Sequence, residues 1–116
     1  MIHWQLHTQQ SLQAMIAEGS IQLVCVLSTA HLTPQENNQL GLIASDRREG
    51  PVVRDMTPGY LVNLPNVSTD PKGDMDSIAD MPNLHRIMHA VNNAGFTHLR
   101  LDPDGPTHSE FTTNDW

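Results

Sequence analysis

The spacing of apolar side chains predicts a short helix near the beginning of the chain. Within residues 8–19, Leu12, Met15 and Ile16 fall on one helical face. Gly19 follows at a position where glycine commonly ends a helix. We therefore expect an N-terminal helix over these residues, before the first strand.

Two later segments carry stronger helical signals. Thr33 and Glu36 have the spacing of a capping box, and Pro34 stands at the first helical position, so a helix is predicted over residues 34–44. A second helix is predicted over residues 84–94, where apolar residues recur with the i, i+3, i+4, i+7 spacing. The residues of that stripe are Leu84, Ile87, Met88 and Val91.

Four strands are predicted around these helices. Residues 21–28 are almost continuously apolar, which is typical of a central strand buried on both faces. Two short strands flank Pro58 and Gly59, which are strong turn formers. The last strand is predicted over residues 96–102, so the order after the N-terminal helix is β-α-β-β-α-β.

That order predicts an α+β fold, a ferredoxin-like βαββαβ domain with two helices on one face of an antiparallel sheet. The main alternative is a mixed sheet in which the first and last strands are parallel neighbours. A chain of 116 residues suffices for a single domain, residues 1–116, with one core. A flexible acidic loop is predicted over residues 64–80 and a C-terminal tail over residues 105–116.

The chain is acidic, with 13 Asp and Glu against six Lys and Arg and a formal net charge of −7. A phosphate backbone repels such a protein, so we expect no direct binding of nucleic acid and favour a basic protein or nucleoprotein surface as partner. The longest apolar run is too short to span a bilayer, so no membrane partner is expected. The lone Cys25 forms no internal disulfide, which fits a reducing cytoplasm. A homodimer is compatible with these features, and no motif indicates a cofactor.

Several short motifs resemble those of a family of small uncharacterised proteins. They are STAHLTP at residues 28–34, an AGF step into LRLDPDGPT, and a terminal Phe and Trp. The family is known as a domain of unknown function and is carried by plasmids, integrated elements and phages. The resemblance covers most of the chain after residue 22 and implies a mobile-element setting without an established activity. Phe111 and Trp116 depart from the family pattern, in which one residue separates the pair.

The sharpest candidate site combines His31 with Asp102 and Asp104. Imidazole and carboxylate groups can bind a metal ion or serve in acid–base catalysis. Structural roles compete with this interpretation, because His31 directly precedes a capped helix and short carboxylates commonly accept backbone hydrogen bonds in turns. In a ferredoxin-like sheet the strands that carry these residues are antiparallel, which would place the residues at opposite edges. We therefore expect the three residues not to bind a divalent metal together.

Three other groups are weaker candidates. His85 and His89 have the i, i+4 spacing of helical zinc ligands, but no third ligand or H-E-x-x-H motif accompanies them. Cys25 lies in an apolar strand, where a thiol is inert. The acidic residues of the 64–80 loop lack EF-hand spacing, and we interpret them as a protein-binding patch. They are Asp70, Asp74, Asp76 and Asp80.

The C-terminal tail ends on Trp116, which is a natural latch for the domain. An ordered Trp can bury about 150–250 Å² of surface. Its removal is therefore expected to lower the melting temperature if the tail folds back on its own domain.

These features favour a non-enzymatic accessory protein of a mobile genetic element that binds a host or element protein. The most specific form of this hypothesis is a counter-defence inhibitor, anti-CRISPR or anti-restriction, that occupies a basic nucleic-acid channel by charge complementarity. The alternative is a small metal-dependent hydrolase that uses His31, Asp102 and Asp104. A third interpretation is a regulatory module associated with a toxin–antitoxin pair.

Overall fold

The computed structural model describes residues 21–46, 52–67 and 75–115. These residues form four strands and two α-helices in the predicted order, which confirms the mixed α+β class. The elements are β1 Val24–Ser28, α1 Pro34–Asp46, β2 Val53–Asp55, β3 Tyr60–Asn63, α2 Pro82–Asn93 and β4 His98–Asp102. The predicted N-terminal helix over residues 8–19 lies outside the described residues, as does Trp116. Within the described ranges, no helix has the length and apolarity needed to cross a membrane.

The four strands form one mixed sheet in the order β1-β4-β3-β2. β1 runs parallel to β4, with Ser28 opposite Asp102, while β3 is antiparallel to both β4 and β2. The ferredoxin-like prediction placed the first and last strands antiparallel, and this pairing is not observed. The arrangement is instead the alternative in which these two strands are parallel. The prediction that residues 21–28 form a central strand is wrong, because β1 lies at an edge of the described sheet.

The burial of side chains explains why β4 and not β1 lies inside the sheet. Leu99 and His98, on opposite faces of β4, are both buried. β1 contributes Leu27 to the core, but Val24 and Val26 on its other face remain exposed. A continuous apolar run is therefore compatible with an edge strand as well as with a central one.

Both helices pack on the same face of the sheet. α2 buries its predicted apolar stripe, which confirms that prediction, and α1 buries Leu40 and Ile43. The buried apolar residues of the helices form one core with alternate residues of the strands, which share a face because side chains alternate along a strand. These strand residues are Leu27, Val53, Val62, Leu99 and Leu101.

The turn between β2 and β3 depends on a glycine. The Thr57–Pro58 peptide bond is cis, and Gly59 follows with a φ of 84°. A β-carbon at Gly59 would collide with the carbonyl oxygen of Leu101, so a residue with a side chain does not fit here. The turn therefore packs directly against the end of β4.

Part of the predicted acidic loop over residues 64–80 is anchored in the core. Pro65–Val67 form a single 3₁₀ turn, and the side chain of Ile78 is fully buried. Asp76 and Asp80 are exposed on either side of Ile78. The other two acidic residues of the proposed patch, at positions 70 and 74, lie outside the described residues.

Candidate functional site

His31 follows β1 and joins the connection between β1 and α1 to the C-terminal segment. Its side chain is fully buried. Nδ1 donates a hydrogen bond to the carbonyl oxygen of Thr112 (2.9 Å), and Nε2 accepts one from the backbone N–H of His108 (2.9 Å). The ring also packs edge to face against Phe111, with 5.6 Å between the ring centroids. Because one ring nitrogen donates and the other accepts, this arrangement requires a neutral imidazole, and His31 holds the tail in place.

Asn114 and Pro106 hold the tail at two further points. The backbone N–H of Asn114 donates to the carbonyl oxygen of Ala30 (2.7 Å), and its Nδ2 donates to that of Leu32 (3.0 Å). The carbonyl oxygen of Pro106 accepts the backbone N–H of Ser28 (2.8 Å). The described part of the tail is therefore fixed along the end of β1, while the latch role of the terminal Trp stays a prediction.

The parallel pairing of β1 and β4 brings His31 and Asp102 to the same end of the sheet. The expectation that they lie at opposite edges is therefore wrong. Asp102 serves the turn after β4, because its Oδ1 accepts the backbone N–H of Asp104 (2.9 Å) and its Oδ2 lies 3.6 Å from Arg100 Nη2. Among the described residues, no group of three or more His, Cys, Asp or Glu is arranged to hold a metal ion. The side chains of His31 and Asp102 thus have structural partners, and the expectation about metal binding stays a prediction.

The histidine pair and the cysteine have local surroundings of their own. The rings of His85 and His89 lie 6.3 Å apart on α2, and Nδ1 of His89 accepts a hydrogen bond from Nδ2 of Asn93 (3.1 Å). Cys25 is partly buried in β1, and burial raises the pKa of its thiol. A raised pKa keeps the thiol protonated and therefore poorly nucleophilic at neutral pH.

Glu36 closes the predicted capping box and also caps the other helix. Its Oε1 accepts the backbone N–H of Thr33 (2.9 Å) and the Nδ2 of Asn83 (2.9 Å). Its Oε2 accepts the backbone N–H groups of Asn83 (2.9 Å) and Leu84 (3.0 Å) in the first turn of α2. Burial alone would raise the pKa of this carboxyl, but the hydrogen bonds outweigh burial and lower the pKa below its ordinary value. The second capping role had no signal in the sequence, because 47 residues separate Glu36 from Asn83.

The hydrogen bonds of Leu23 fix the direction in which the backbone groups of β1 point. Its carbonyl oxygen accepts the N–H groups of Thr97 (2.9 Å) and His98 (3.1 Å) at the start of β4. In a strand the backbone groups of successive residues point in opposite directions. The N–H and C=O groups of Val24 and Val26 therefore point away from β4. We call these two residues and their outward backbone groups the β1 edge.

The β1 edge is apolar and accessible. Val24 is 44% exposed and Val26 is 43% exposed. No hydrogen bond from another described residue reaches their outward backbone groups. At the end of the strand, the outward N–H of Ser28 is occupied by Pro106, so the tail limits the open edge on that side. The sequence pattern missed this feature because it assigned the same apolar run to the centre of the sheet.

Comparison with known proteins identifies one family. A family model described as "Family of unknown function (DUF5983) C-terminal domain" matches residues 24–116. The match begins at the first residue of β1 and includes all six elements of the fold. No curated protein and no solved structure matches the chain. The predicted resemblance to a family of unknown function is confirmed at this level.

Proposed function

Since the chain belongs to DUF5983, a family of unknown function, we propose from its own surface that it is a non-enzymatic protein-binding module. The β1 edge is the observation that supports this proposal. An extended segment of a partner protein pairs with β1 through the outward backbone groups of Val24 and Val26, in the mode of strand addition to a sheet.

Among the described residues, β1 lacks the features within a strand that protect the edges of sheets. Exposed edges pair with other chains unless charged side chains, Pro, bulges, very short strands or a covering helix or loop prevent it. β1 has the sequence VCVLS, which contains neither a charged residue nor Pro. All five of its residues pair with β4 in an unbroken register, so no bulge twists the edge away. We therefore assign the pairing of this edge to a partner.

The net charge of −7 indicates the class of partner. Complementary charge speeds association and suppresses wrong partners. We accordingly propose a basic partner, a host or mobile-element protein that handles nucleic acid. Exposed Asp76 and Asp80 add local negative charge for such a contact. The narrowest form of the proposal is counter-defence, in which the protein blocks the basic nucleic-acid channel of a restriction or CRISPR-type nuclease.

The geometry favours protein binding over the hydrolase alternative. Both ring nitrogens of His31 are engaged by the backbone of the docked tail, so neither is available to a metal ion or substrate in this arrangement. Asp102 is engaged by the N–H of Asp104. A regulatory role beside a toxin–antitoxin pair is another case of protein binding and would use the same edge.

Capture from a host lysate followed by titration tests the proposal. Tagged wild-type protein is compared with a Val24→Lys/Val26→Lys double variant, and the captured proteins are identified and quantified by mass spectrometry. We expect a basic partner that is depleted about tenfold or more from the variant, because each lysine places a charge on the pairing edge. The partner is then purified and titrated against both proteins by calorimetry.

Leu42→Lys is the matched control for this experiment. Leu42 lies on α1 and is 44% exposed, like Val24, but it is not part of the β1 edge. The control is expected to retain the partner. Equal capture by the wild type and the double variant would contradict the assignment of the β1 edge. If the double variant instead loses only self-association, measured by light scattering, the occupant of the edge is a second copy of the chain.

A further inference from the structure

A crevice opens where the parallel strands β1 and β4 end, with a volume of about 290 Å³. The wall of the crevice is formed by residues at and after the ends of both strands, by the first turn of α1 and by the start of β3. The lining includes Ser28, Thr29, Asn37, Gly59, Tyr60 and Pro103. Ligands of α/β sheets commonly bind outside the carboxyl ends of the strands, which is the position of this crevice.

Four of the lining side chains are polar and have hydrogen-bonding capacity to spare. The Oγ of Ser28 accepts the backbone N–H of Ala30 (3.0 Å) and keeps its own proton to donate. The side chains of Thr29, Asn37 and Tyr60 make no hydrogen bond to another residue that the structure describes. The crevice therefore gathers donors and acceptors that a ligand can satisfy.

Two glycines shape the surroundings of Tyr60. A β-carbon at Gly41 would lie 3.0 Å from the Oη of Tyr60, so glycine leaves room for this hydroxyl beside α1. On the other side, Gly59 adopts a φ of 84° and has no space for a side chain. Of these two glycines, Gly59 lines the crevice and contributes only backbone to its wall.

From this lining we infer that the crevice binds a small uncharged molecule rich in hydroxyl groups, of the size of one sugar ring. The three hydroxyls and the amide of Asn37 each donate and accept, which matches the alternating donors and acceptors of a sugar. The ring of Tyr60 supplies an apolar surface for the C–H face of such a ring. None of the described lining residues carries a charge that would favour an ionic ligand.

The size of the crevice limits the ligand to a single ring. Ligand pockets have volumes of about 300–1,000 Å³, and this crevice lies at the lower limit of that range. The inference is independent of the proposed protein-binding function, because the crevice lies on the helix side of the strand ends and includes neither valine of the β1 edge.

An NMR titration of the full chain tests the inference. Glucose, galactose and N-acetylglucosamine are the probes, each added to the ¹⁵N-labelled protein up to tens of millimolar. We expect at least one of them to cause saturable shifts of the amide signals of Ala30 and Gly59. Asn37→Ala and Tyr60→Phe are each expected to weaken that binding about fivefold to tenfold, the effect of losing one hydrogen bond.

Asn38→Ala is the matched control, because Asn38 is the next residue of α1, is exposed and does not line the crevice. It should bind the sugar like the wild type. Unchanged spectra outside the crevice show that the Asn37 and Tyr60 variants remain folded. Saturable shifts with none of the three sugars would overturn the inference. Equal or tighter binding of glucose 6-phosphate or glucuronate would overturn the assignment to an uncharged ligand.

Discussion

The two edges of the described sheet differ in the features that control strand pairing. β2, at one edge, has three residues, and two of them are the exposed charged residues Arg54 and Asp55. β1, at the other edge, has five residues without a charge and presents the outward groups of Val24 and Val26. β2 carries the usual protection against pairing. The lack of protection is therefore specific to β1 and is not a property of the whole sheet. Variants can therefore distinguish residues that stabilise the fold from Val24 and Val26, which are available to a partner.

Gly59→Ala is expected to have the largest effect, because it breaks the turn that holds the protected edge. A left-handed backbone costs alanine about 1–2 kcal/mol. The collision with the carbonyl of Leu101 adds about 1–3 kcal/mol of overpacking. We therefore expect the free energy of unfolding, measured by urea titration, to fall by about 2–5 kcal/mol.

Gly95→Ala isolates the backbone part of this effect. Gly95 also has a positive φ, 97°, but a β-carbon there meets no atom within 4 Å. Its replacement should therefore cost only the about 1–2 kcal/mol of the left-handed conformation. Equal losses for the two variants would show that the collision with β4 is relieved by a local movement.

His31→Ala is expected to have the next largest effect and to extend the unprotected edge. It removes the two partly buried hydrogen bonds to the carbonyl of Thr112 and from the N–H of His108, at about 0.5–1.5 kcal/mol each. It also leaves a cavity in place of a fully buried ring. We expect a loss of about 2–4 kcal/mol in the free energy of unfolding, with faster hydrogen exchange at the N–H of Ser28 once the tail is released.

His89→Ala is the control for this variant, because His89 is an exposed helical histidine. Its effect on stability should lie within about 0.5 kcal/mol of zero. Similar losses for the two histidine variants, or unchanged exchange at Ser28, would contradict the role of His31 as the clamp of the tail.

Acid is expected to weaken the β2 edge selectively, because only β2 of the two edge strands carries a carboxylate. The hydroxyl of Thr57, followed by its backbone N–H, lowers the pKa of Asp55 below its ordinary value. The ionised carboxylate of Asp55 therefore stabilises the folded chain at pH values above its pKa in the unfolded chain, about 3.9. This stabilisation is lost as the pH falls through the lower pKa of the folded state. Asp55→Asn should remove this part of the pH dependence of unfolding. Identical pH profiles for the variant and the wild type would contradict the assignment.

Removal of the charges from β2 should make the two edges alike. An Arg54→Val/Asp55→Thr double variant keeps a strand-forming sequence but lacks the protective charges. We expect concentration-dependent self-association in analytical ultracentrifugation, with small change in stability. Arg86→Val is the control, because Arg86 is an exposed charged residue of α2 and lies on neither edge strand. A double variant that sediments like the wild type would show that its charges do not protect this edge.

Val26→Lys should have the smallest effect on stability. The side chain is 43% exposed, and surface substitutions usually change stability by less than about 0.5 kcal/mol. Its effect on partner binding is expected to be large, since a charge then lies on the pairing edge. Thermal unfolding measures the first quantity and calorimetric titration of the purified partner the second. A substantial loss of stability would mean that Val26 belongs to the fold and not to the interface.

Local signals in the sequence predicted the two described helices well. The capping box of Thr33 and Glu36 and the apolar stripe of α2 each involve residues close in the chain, so their geometry follows from helical periodicity. The strand order could not be predicted in the same way. An apolar run such as that of β1 fits a buried central strand and an unprotected edge equally, and only the pairing with β4 distinguishes the two.

The sequence singled out His31 and Asp102 by their chemistry, but it did not predict the contacts that they make. His31 was a strong candidate because of its chemistry, but its partners lie in the tail, 77 and 81 residues away in the chain. Their proximity depends on the parallel pairing of β1 with β4, which local patterns do not encode. The crevice residues Asn37 and Tyr60 had no motif at all, because ordinary polar residues acquire this role only through the fold.

The carboxylate of Glu36 couples the folding of the two helices. α1 begins from a local capping box, whereas the N-cap residue of α2, Met81, supplies no side-chain hydrogen bond. The first turn of α2 is therefore complete only after a loop of 47 residues has closed and brought Glu36 to Asn83. Closing that loop costs chain entropy before the hydrogen bonds form. We therefore expect the hydrogen bonds between Glu36 and α2 to form together and late in folding. The pair of helices is thus expected to behave as one cooperative unit, in which the start of α2 opens when α1 leaves the sheet.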